Sequence, residues 1–355
     1  MSGRRNVADR VLLTGAAGFI GSLLAERLLA RGDRVVGIDN FDAFYPRAQK
    51  ERNLADARAH QEFRLCEADC TDLDALDRSL RDEEFDVVVH LAAKAGVRPS
   101  LIDPLGYVRT NVLGTQAMLE FTRRRGIRRF IFGSSSSVYG NSRKVPFSED
   151  DPILDPISPY AATKVAGEIL CRTYHRLYEM GIIALRFFTV YGPRQRPDLA
   201  IRKFTTLMLR GDPVPVFGDG TSARDYTWVD DILRGVEAAI DRTRFVPGRL
   251  DLINLGGSQP NSLRRLVELI ANAVGLEPVI DRWPAQLGDV VRTYADISKA
   301  GRLLGYRPHV TLDEGIPRFV EWMRRGEVAL EVDGPRTPGA AKTVGVADRR
   351  AHAHR

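Results

Sequence analysis

The chain has 355 residues, 44% of them hydrophobic and 28% charged, which suits one large or two small folded domains with a substantial core. No apolar run approaches the roughly 18 residues a membrane span needs, and the first apolar stretch is too broken by glycine for a signal peptide. The net charge of +6 hints at nucleic acid, but Arg336, Lys342, Arg349, Arg350 and Arg355 against Asp348 place +4 of it in residues 334–355. That Gly-, Ala- and Pro-rich tail is predicted to be disordered, so no nucleic-acid partner is expected.

The apolar run Val11-Leu-Leu-Thr14 leads into Gly15-x-x-Gly18-x-x-Gly21, and residues 22–30 continue with helical periodicity. This order predicts a strand at 10–14, a tight glycine turn and a helix at 19–31 whose N-terminus offers free N–H groups to phosphates. Residues 34–39 read as a second strand ending in Asp39, 18 residues after Gly21. An acid there binds adenosine ribose hydroxyls and repels a 2′-phosphate, so the expected dinucleotide is NAD rather than NADP.

Further strands are predicted at 62–68, 85–91, 128–133 and 181–188, with helices at 72–81, 107–125 and 159–180. The alternation predicts an α/β fold: a Rossmann-like, doubly wound parallel sheet with helices on both faces. Residues 85–93 are nearly all apolar, as a strand buried on both sides should be. The Arg-rich run 123–129 lies where a helix ends, and cations there complement the helix dipole.

Beyond Arg186 the rhythm breaks. Pro193, Pro197, Pro213 and Pro215, with Gly211, Gly218 and Gly220, mark loops and short strands. A helix is predicted from Tyr226 to Ile240, a last strand at 250–255, and a helix opening at Asn261-Ser262. The expected division puts 1–186 and about 226–256 in a dinucleotide-binding domain. Residues 187–225 and 257–330 then form a smaller mixed α/β substrate lobe over the carboxyl ends of the strands.

Tyr160 and Lys164, four residues apart, share one face of the 159–180 helix. A neighbouring cation favours phenolate and brings a tyrosine down from about 10, which suits it as general base for an alcohol proton. Alone, the spacing occurs by chance on solvated helices, and the serine run 134–137 alone reads as a polar turn. Beside the glycine turn they define a site in which Ser135 hydrogen-bonds the oxygen that Tyr160 deprotonates. Cys66, Cys70 and Cys171 form no disulfide or zinc pattern, so no metal is expected and the cytoplasm is the expected location.

Gly15-x-x-Gly18-x-x-Gly21, Asp39, Asn111, Ser135 and Tyr160-x-x-x-Lys164 together resemble the extended short-chain dehydrogenase/reductase family, from about Val11 to Trp322. Residues 37–46, Ala95-Gly-Val-Arg98 and 186–200 are similar to its UDP-glucuronate 4-epimerases. The resemblance implies NAD contacts at Gly15, Gly18, Phe19, Ile20, Gly21, Asp39, Asn40, Asp69, Cys70, Leu91, Ala92, Ala93, Lys94, Asn111, Ser134, Tyr160 and Lys164. It implies that Ser135, Ser136, Ser137 and Thr189 hold the sugar carboxylate, that Arg98, Tyr160 and Arg196 face the nucleotide sugar, and that Phe217, Arg224 and Arg292 contact uridine and pyrophosphate.

Sugar-nucleotide 4,6-dehydratases carry Asp-Glu where this chain has Ser136-Ser137, and UDP-glucuronate decarboxylases carry Glu at Ser137. UDP-glucose 4-epimerases usually carry Asn where Thr189 stands. The implied activity is NAD-dependent C4 epimerisation of a UDP-sugar, UDP-glucuronate to UDP-galacturonate first. UDP-glucose or UDP-N-acetylglucosamine remains open, with a decarboxylase or a non-catalytic NAD-binding protein behind. The resemblance also implies a homodimer through helices 107–125 and 159–180.

Overall fold

The computed structural model describes residues 8–153, 155–284 and 290–326, so the expected tail at 334–355 lies outside the described residues. Six strands open the chain: β1 (Arg10–Thr14), β2 (Arg34–Asp39), β3 (Phe63–Glu67), β4 (Val87–His90), β5 (Arg129–Ser135) and β6 (Gly181–Phe187). Three short ones follow: β7 (Thr189–Tyr191), β8 (Val214–Phe217) and β9 (Ala223–Trp228). The last are β10 (Leu250–Leu255), β11 (Pro260–Ser262) and β12 (Ile280–Trp283).

Seven of them form one parallel sheet in the order β3-β2-β1-β4-β5-β6-β10. The strand order reverses between β1 and β4, which opens a crevice beyond their carboxyl ends. Alternation along the strands fills two cores. Val11 and Leu13 join Leu24, Leu28, Val236 and Ile240 on one face, while Leu12 and Val88 join Met118, Phe121 and Phe130 on the other. Each such side chain contributes about 1.5–3 kcal/mol by leaving water. A third core packs β8 and β9 against the Ala200–Arg210, Leu263–Val274 and Leu312–Arg324 helices. Among the described residues no helix is long and apolar enough to cross a membrane.

The expected elements fall within a few residues of their bounds, with three corrections and with β11 and β12 following the strand at 250–255 that was expected to be the last. The 107–125 helix is α-helical only at Pro104–Tyr107 and Gly114–Arg124 and widens into a π-helix at Val108–Leu113. Asn111, inside that wide turn, is held from outside the helix: its side chain bonds both the N–H and the carbonyl of Lys94. The helix expected from Tyr226 begins only at Val229, because Tyr226, Thr227 and Trp228 pair with β7 and the Asp230-Asp231 pair sits in the helix's first turn. Helices at Arg47–Asn53, Ala55–Arg58 and Val97–Ile102 lie in stretches given no element from sequence. In the arginine run, Arg123 and Arg124 pair with Glu120 on their own helix, and Arg129 makes a forked bond to buried Asp9.

Candidate active site

A cavity of about 460 Å³ opens at the carboxyl edge of the sheet. Its floor at one end is the glycine turn. Gly15 has φ +73°, and a Cβ there would sit 2.8 Å from the Ala92 nitrogen; a Cβ at Gly21 would fall 2.0 Å from the Gly15 carbonyl oxygen. Gly18 starts the Phe19–Ala30 helix without a side-chain cap, and Gly18, Phe19, Ile20 and Gly21 line the cavity. This cradle, closed to any Cβ and headed by a helix N-terminus, fits a dinucleotide pyrophosphate.

Asp39 ends β2 at the cavity wall, its carboxylate accepting from the Ala17 and Phe41 amides at 3.0 and 2.8 Å. Lys50 donates to it at 3.4 Å and lies over the Tyr45 ring. Neither Lys50 nor Tyr45 was given a role from sequence: Tyr45 lies in the 37–46 stretch that carries the resemblance without a part of its own, and Lys50 lies in the Arg47–Asn53 helix, a stretch given no element.

Ser158 caps the Pro159–Tyr178 helix through the Ala161 amide and Pro159 takes the first turn, which sets Tyr160 and Lys164 at the cavity. Tyr160 is buried, with the Tyr107 ring edge-on at 6.1 Å. Burial pushes its phenol above the ordinary value; a hydrogen bond with Ser135 and the charge of Arg196 pull it back. Ser135 also accepts from the Ser137 amide at 3.1 Å, which fixes its hydroxyl at the end of β5.

Lys164 lines the same cavity and is fixed from outside its own helix. Its ammonium donates to the Gly133 carbonyl at 2.6 Å and lies 5.2 Å from the Phe132 ring centre. Burial lowers it to about 8. The charge of Arg196, from the loop after β7, favours the ionised form of the Tyr160 phenol, though less than burial opposes it.

The cavity wall brings together Asn40, Cys70, Leu91, Ala92, Ala93, Lys94, Ser134, Ser135, Ser136, Ser137, Thr189 and Arg196 with the residues above. Asp69 and Asn111 stand behind it: Asp69 accepts from Asn40 at 3.1 Å, and Asn111 donates to Thr163 at 2.9 Å. Arg98, Phe217, Arg224 and Arg292 do not line it. Arg98 stacks on Phe217 at 4.8 Å, and Arg292 bridges to Ala223 beside Arg224. These four come from the second lobe and the β4 loop, whose packing the sequence motifs do not specify.

Sequence reasoning also missed a buried chain behind the serines. Ser134 donates to Glu168 at 2.6 Å, Arg186 makes a forked bond to Glu168, and Arg186 continues to Tyr139 and Asn254. Glu168 is four residues after Lys164, so the helical stripe Tyr160, Lys164, Glu168 was available as a signal. Among the described residues no group of His, Cys, Asp or Glu could hold a metal ion.

A pyrophosphate cradle, a ribose-side acid and a buried Ser-Tyr-Lys set around one crevice of a parallel sheet define a dinucleotide-dependent enzyme of the short-chain dehydrogenase/reductase class. Within it, the chain belongs to the family described as GDP-mannose 4,6 dehydratase, whose model matches residues 12–319. It is 39% identical over 314 residues to the UDP-glucuronate 4-epimerase of Thermodesulfobacterium geofontis, covering 88% of this chain and 95% of that protein. The UDP-glucuronic acid 4-epimerase of Bacillus cereus, solved with UDP-glucuronic acid and NAD, superposes with a TM-score of 0.83 at 39% identity, over 89% of this chain and 99% of that one. The UDP-glucose 4-epimerase of Thermotoga maritima, solved with UDP-glucose, gives 0.80 at 33% identity over 89% and 99%.

Proposed function

We propose that this protein inverts C4 of a UDP-sugar with NAD bound, interconverting UDP-glucuronate and UDP-galacturonate through a transient 4-keto sugar. The observation that carries the reading is the convergence of Ser135, Tyr160 and Lys164 on the cavity whose far end is the glycine cradle. The Bacillus cereus structure, holding both UDP-glucuronic acid and NAD, supports the same pairing of ligands. In this reading residues 1–186 and 226–256 hold the dinucleotide, while 187–225 and 257–330 hold the nucleotide sugar.

Bound NAD supplies a reversible two-electron acceptor for the hydrogen on C4. The chain does the rest. Tyr160, as phenolate, takes the C4 hydroxyl proton, and Ser135 donates a hydrogen bond to that oxygen. Lys164, fixed by the Gly133 carbonyl, adds positive charge at the nicotinamide end. The keto sugar then turns its other face to the same groups, and Tyr160 returns the proton to oxygen. Electrons and protons balance, with no net redox change.

Ser136 and Ser137 present hydroxyls where a dehydratase needs carboxyl groups to move protons at C5 and C6, so the family's descriptive name does not carry its chemistry here. Thr189, on the same wall, adds a neutral donor for a uronate. The test incubates the NAD-loaded protein separately with UDP-glucuronate, UDP-glucose and UDP-N-acetylglucosamine and reads the mixtures by NMR. UDP-galacturonate as the fastest product is expected. Faster conversion of either neutral sugar moves the substrate assignment, and stoichiometric release of NADH removes the epimerase reading.

We further propose that it works as a homodimer in the cytoplasm, where its three buried, unpaired cysteines stay reduced. Val108 and Leu113 on one helical stretch and Ile169 and Leu177 on its neighbour are about half exposed or more. A second copy of the chain, presenting the same two helices, would cover them.

A further inference from the structure

We propose that Glu168 and Arg186 are positioning residues of this reaction: their buried ion pair ties both ends of the segment 134–139 and so sets Ser135 in place. The inference rests on the epimerase reading above. At one end of the segment, Ser134 donates to Glu168 Oε1 at 2.6 Å. At the other, Tyr139 accepts from Arg186 Nη1 at 2.8 Å, with the guanidinium 4.8 Å from its ring centre. Between the two ties, Arg186 donates to Glu168 from Nε at 2.9 Å and from Nη2 at 2.8 Å. A forked pair of this kind fixes the plane of a guanidinium as well as its distance. Ser135, Ser136 and Ser137 therefore span two hydrogen bonds that end on one ion pair.

Each partner comes from an element that already carries the site. Glu168 follows Tyr160 by about two turns of the Pro159–Tyr178 helix, and Arg186 stands beside Ser134 where β6 pairs with β5. Gly167 lets the helix come this close, since a Cβ there would fall 2.4 Å from the Phe132 ring. One turn earlier, Lys164 donates to the carbonyl of Gly133. The helix that holds Tyr160 is thus fastened to two consecutive residues of β5, Gly133 and Ser134, immediately before Ser135. Behind Tyr139 the chain of bonds continues to Asn254 on β10, whose amide donates to the Phe147 and Asp296 carbonyls at 2.9 and 3.2 Å.

Stability alone does not account for the pair. Its side chains are 2% and 4% exposed, and taking two charges this far from water costs about as much as their attraction gives back. Its ties lead instead to the cavity wall, through Ser134 to Ser135. There a misplacement of about 1 Å slows a reaction by as much as about a hundredfold.

The test records kcat and KM for UDP-glucuronate per folded, NAD-loaded site. Wild type that converts no UDP-sugar removes the epimerase reading and this inference with it. Given conversion, Ser134→Ala, which leaves the ion pair whole, is expected to lower kcat about tenfold with KM within about twofold. The double variant Glu168→Leu/Arg186→Met replaces the pair with apolar side chains of similar size. It is expected to melt near wild type while kcat stays about tenfold low or lower. If the pair serves the fold alone, the double variant keeps kcat together with its melting temperature, and that result overturns the inference. Ser134→Ala with unchanged kcat also overturns it, and decides the matter should the double variant fail to fold.

Discussion

In the proposed reading, Ser137 is the residue on which substrate chemistry and fidelity meet. A 4-keto uronate is a β-keto acid and loses CO₂ readily, so a group able to exchange a proton beside its carboxylate is a hazard. Ser136 and Ser137 line the cavity as neutral hydroxyls, and Ser135 Oγ is bonded to Ser137 Oγ at 3.2 Å. Ser137→Glu would place an acid beside the keto acid and is expected to raise UDP-pentose formed per turnover about tenfold or more. Product ratios by NMR read this directly, and an unchanged pentose fraction would show that the hydroxyls do not guard the intermediate. The serine run and Tyr160-Lys164 were legible in the sequence because each is a local pattern on one strand end or one helix face. The Arg196–Asp198 ion pair was not, although its two residues are near neighbours, because the Ala95 carbonyl to which Arg196 also donates lies 101 residues away in the chain.

At the scale of elements, β1 and β4 and the helix beside them are joined by a buried histidine. His90 ends β4 with its Nδ1 2.7 Å from Thr14 Oγ1 and its Nε2 3.2 Å from Thr115 Oγ1. Burial first, and then the charge of Lys164, push it down to about 3. A folded-state value below the unfolded one, about 6.5, means that the unfolded chain binds the extra proton between these two pH values. The stabilisation is complete above about pH 6.5 and is lost as pH falls towards 3, on the order of 1.4 kcal/mol per pH unit. Denaturant unfolding at pH 7.5 and pH 5 is expected to show this loss in wild type and a shallower one in His90→Gln; equal slopes would assign acid sensitivity elsewhere. The strands themselves were readable from apolar runs buried on both faces. Tyr226–Trp228 was not, because a stretch that reads as helix in isolation is recruited by pairing with β7, a contact no local pattern encodes.

Across the whole molecule, the proposed reading gives one end of the crevice to a dinucleotide and the other to a sugar hydroxyl, with Tyr160 on the wall of the same cavity. The half-exposed apolar side chains on the 108–113 and Pro159–Tyr178 stretches lie outside that crevice. Leu113→Glu is therefore expected to convert a dimer to a monomer in sedimentation or light scattering without changing the sugar specificity; a variant of unchanged mass would place the interface elsewhere. The broad layout was legible from the strand–helix rhythm, and a second lobe of two separated segments from the break after Arg186; its inner elements, such as the Ala200–Arg210 helix and the pairing of β7 with β9, were not. The central claim is that one pocket removes the C4 hydrogen and gives the same hydrogen back to the opposite face. It is tested most directly with UDP-glucuronate carrying deuterium at C4, in ordinary water. The label should remain at C4 of the UDP-galacturonate formed, whereas product in which that deuterium has been replaced by solvent hydrogen would contradict the account.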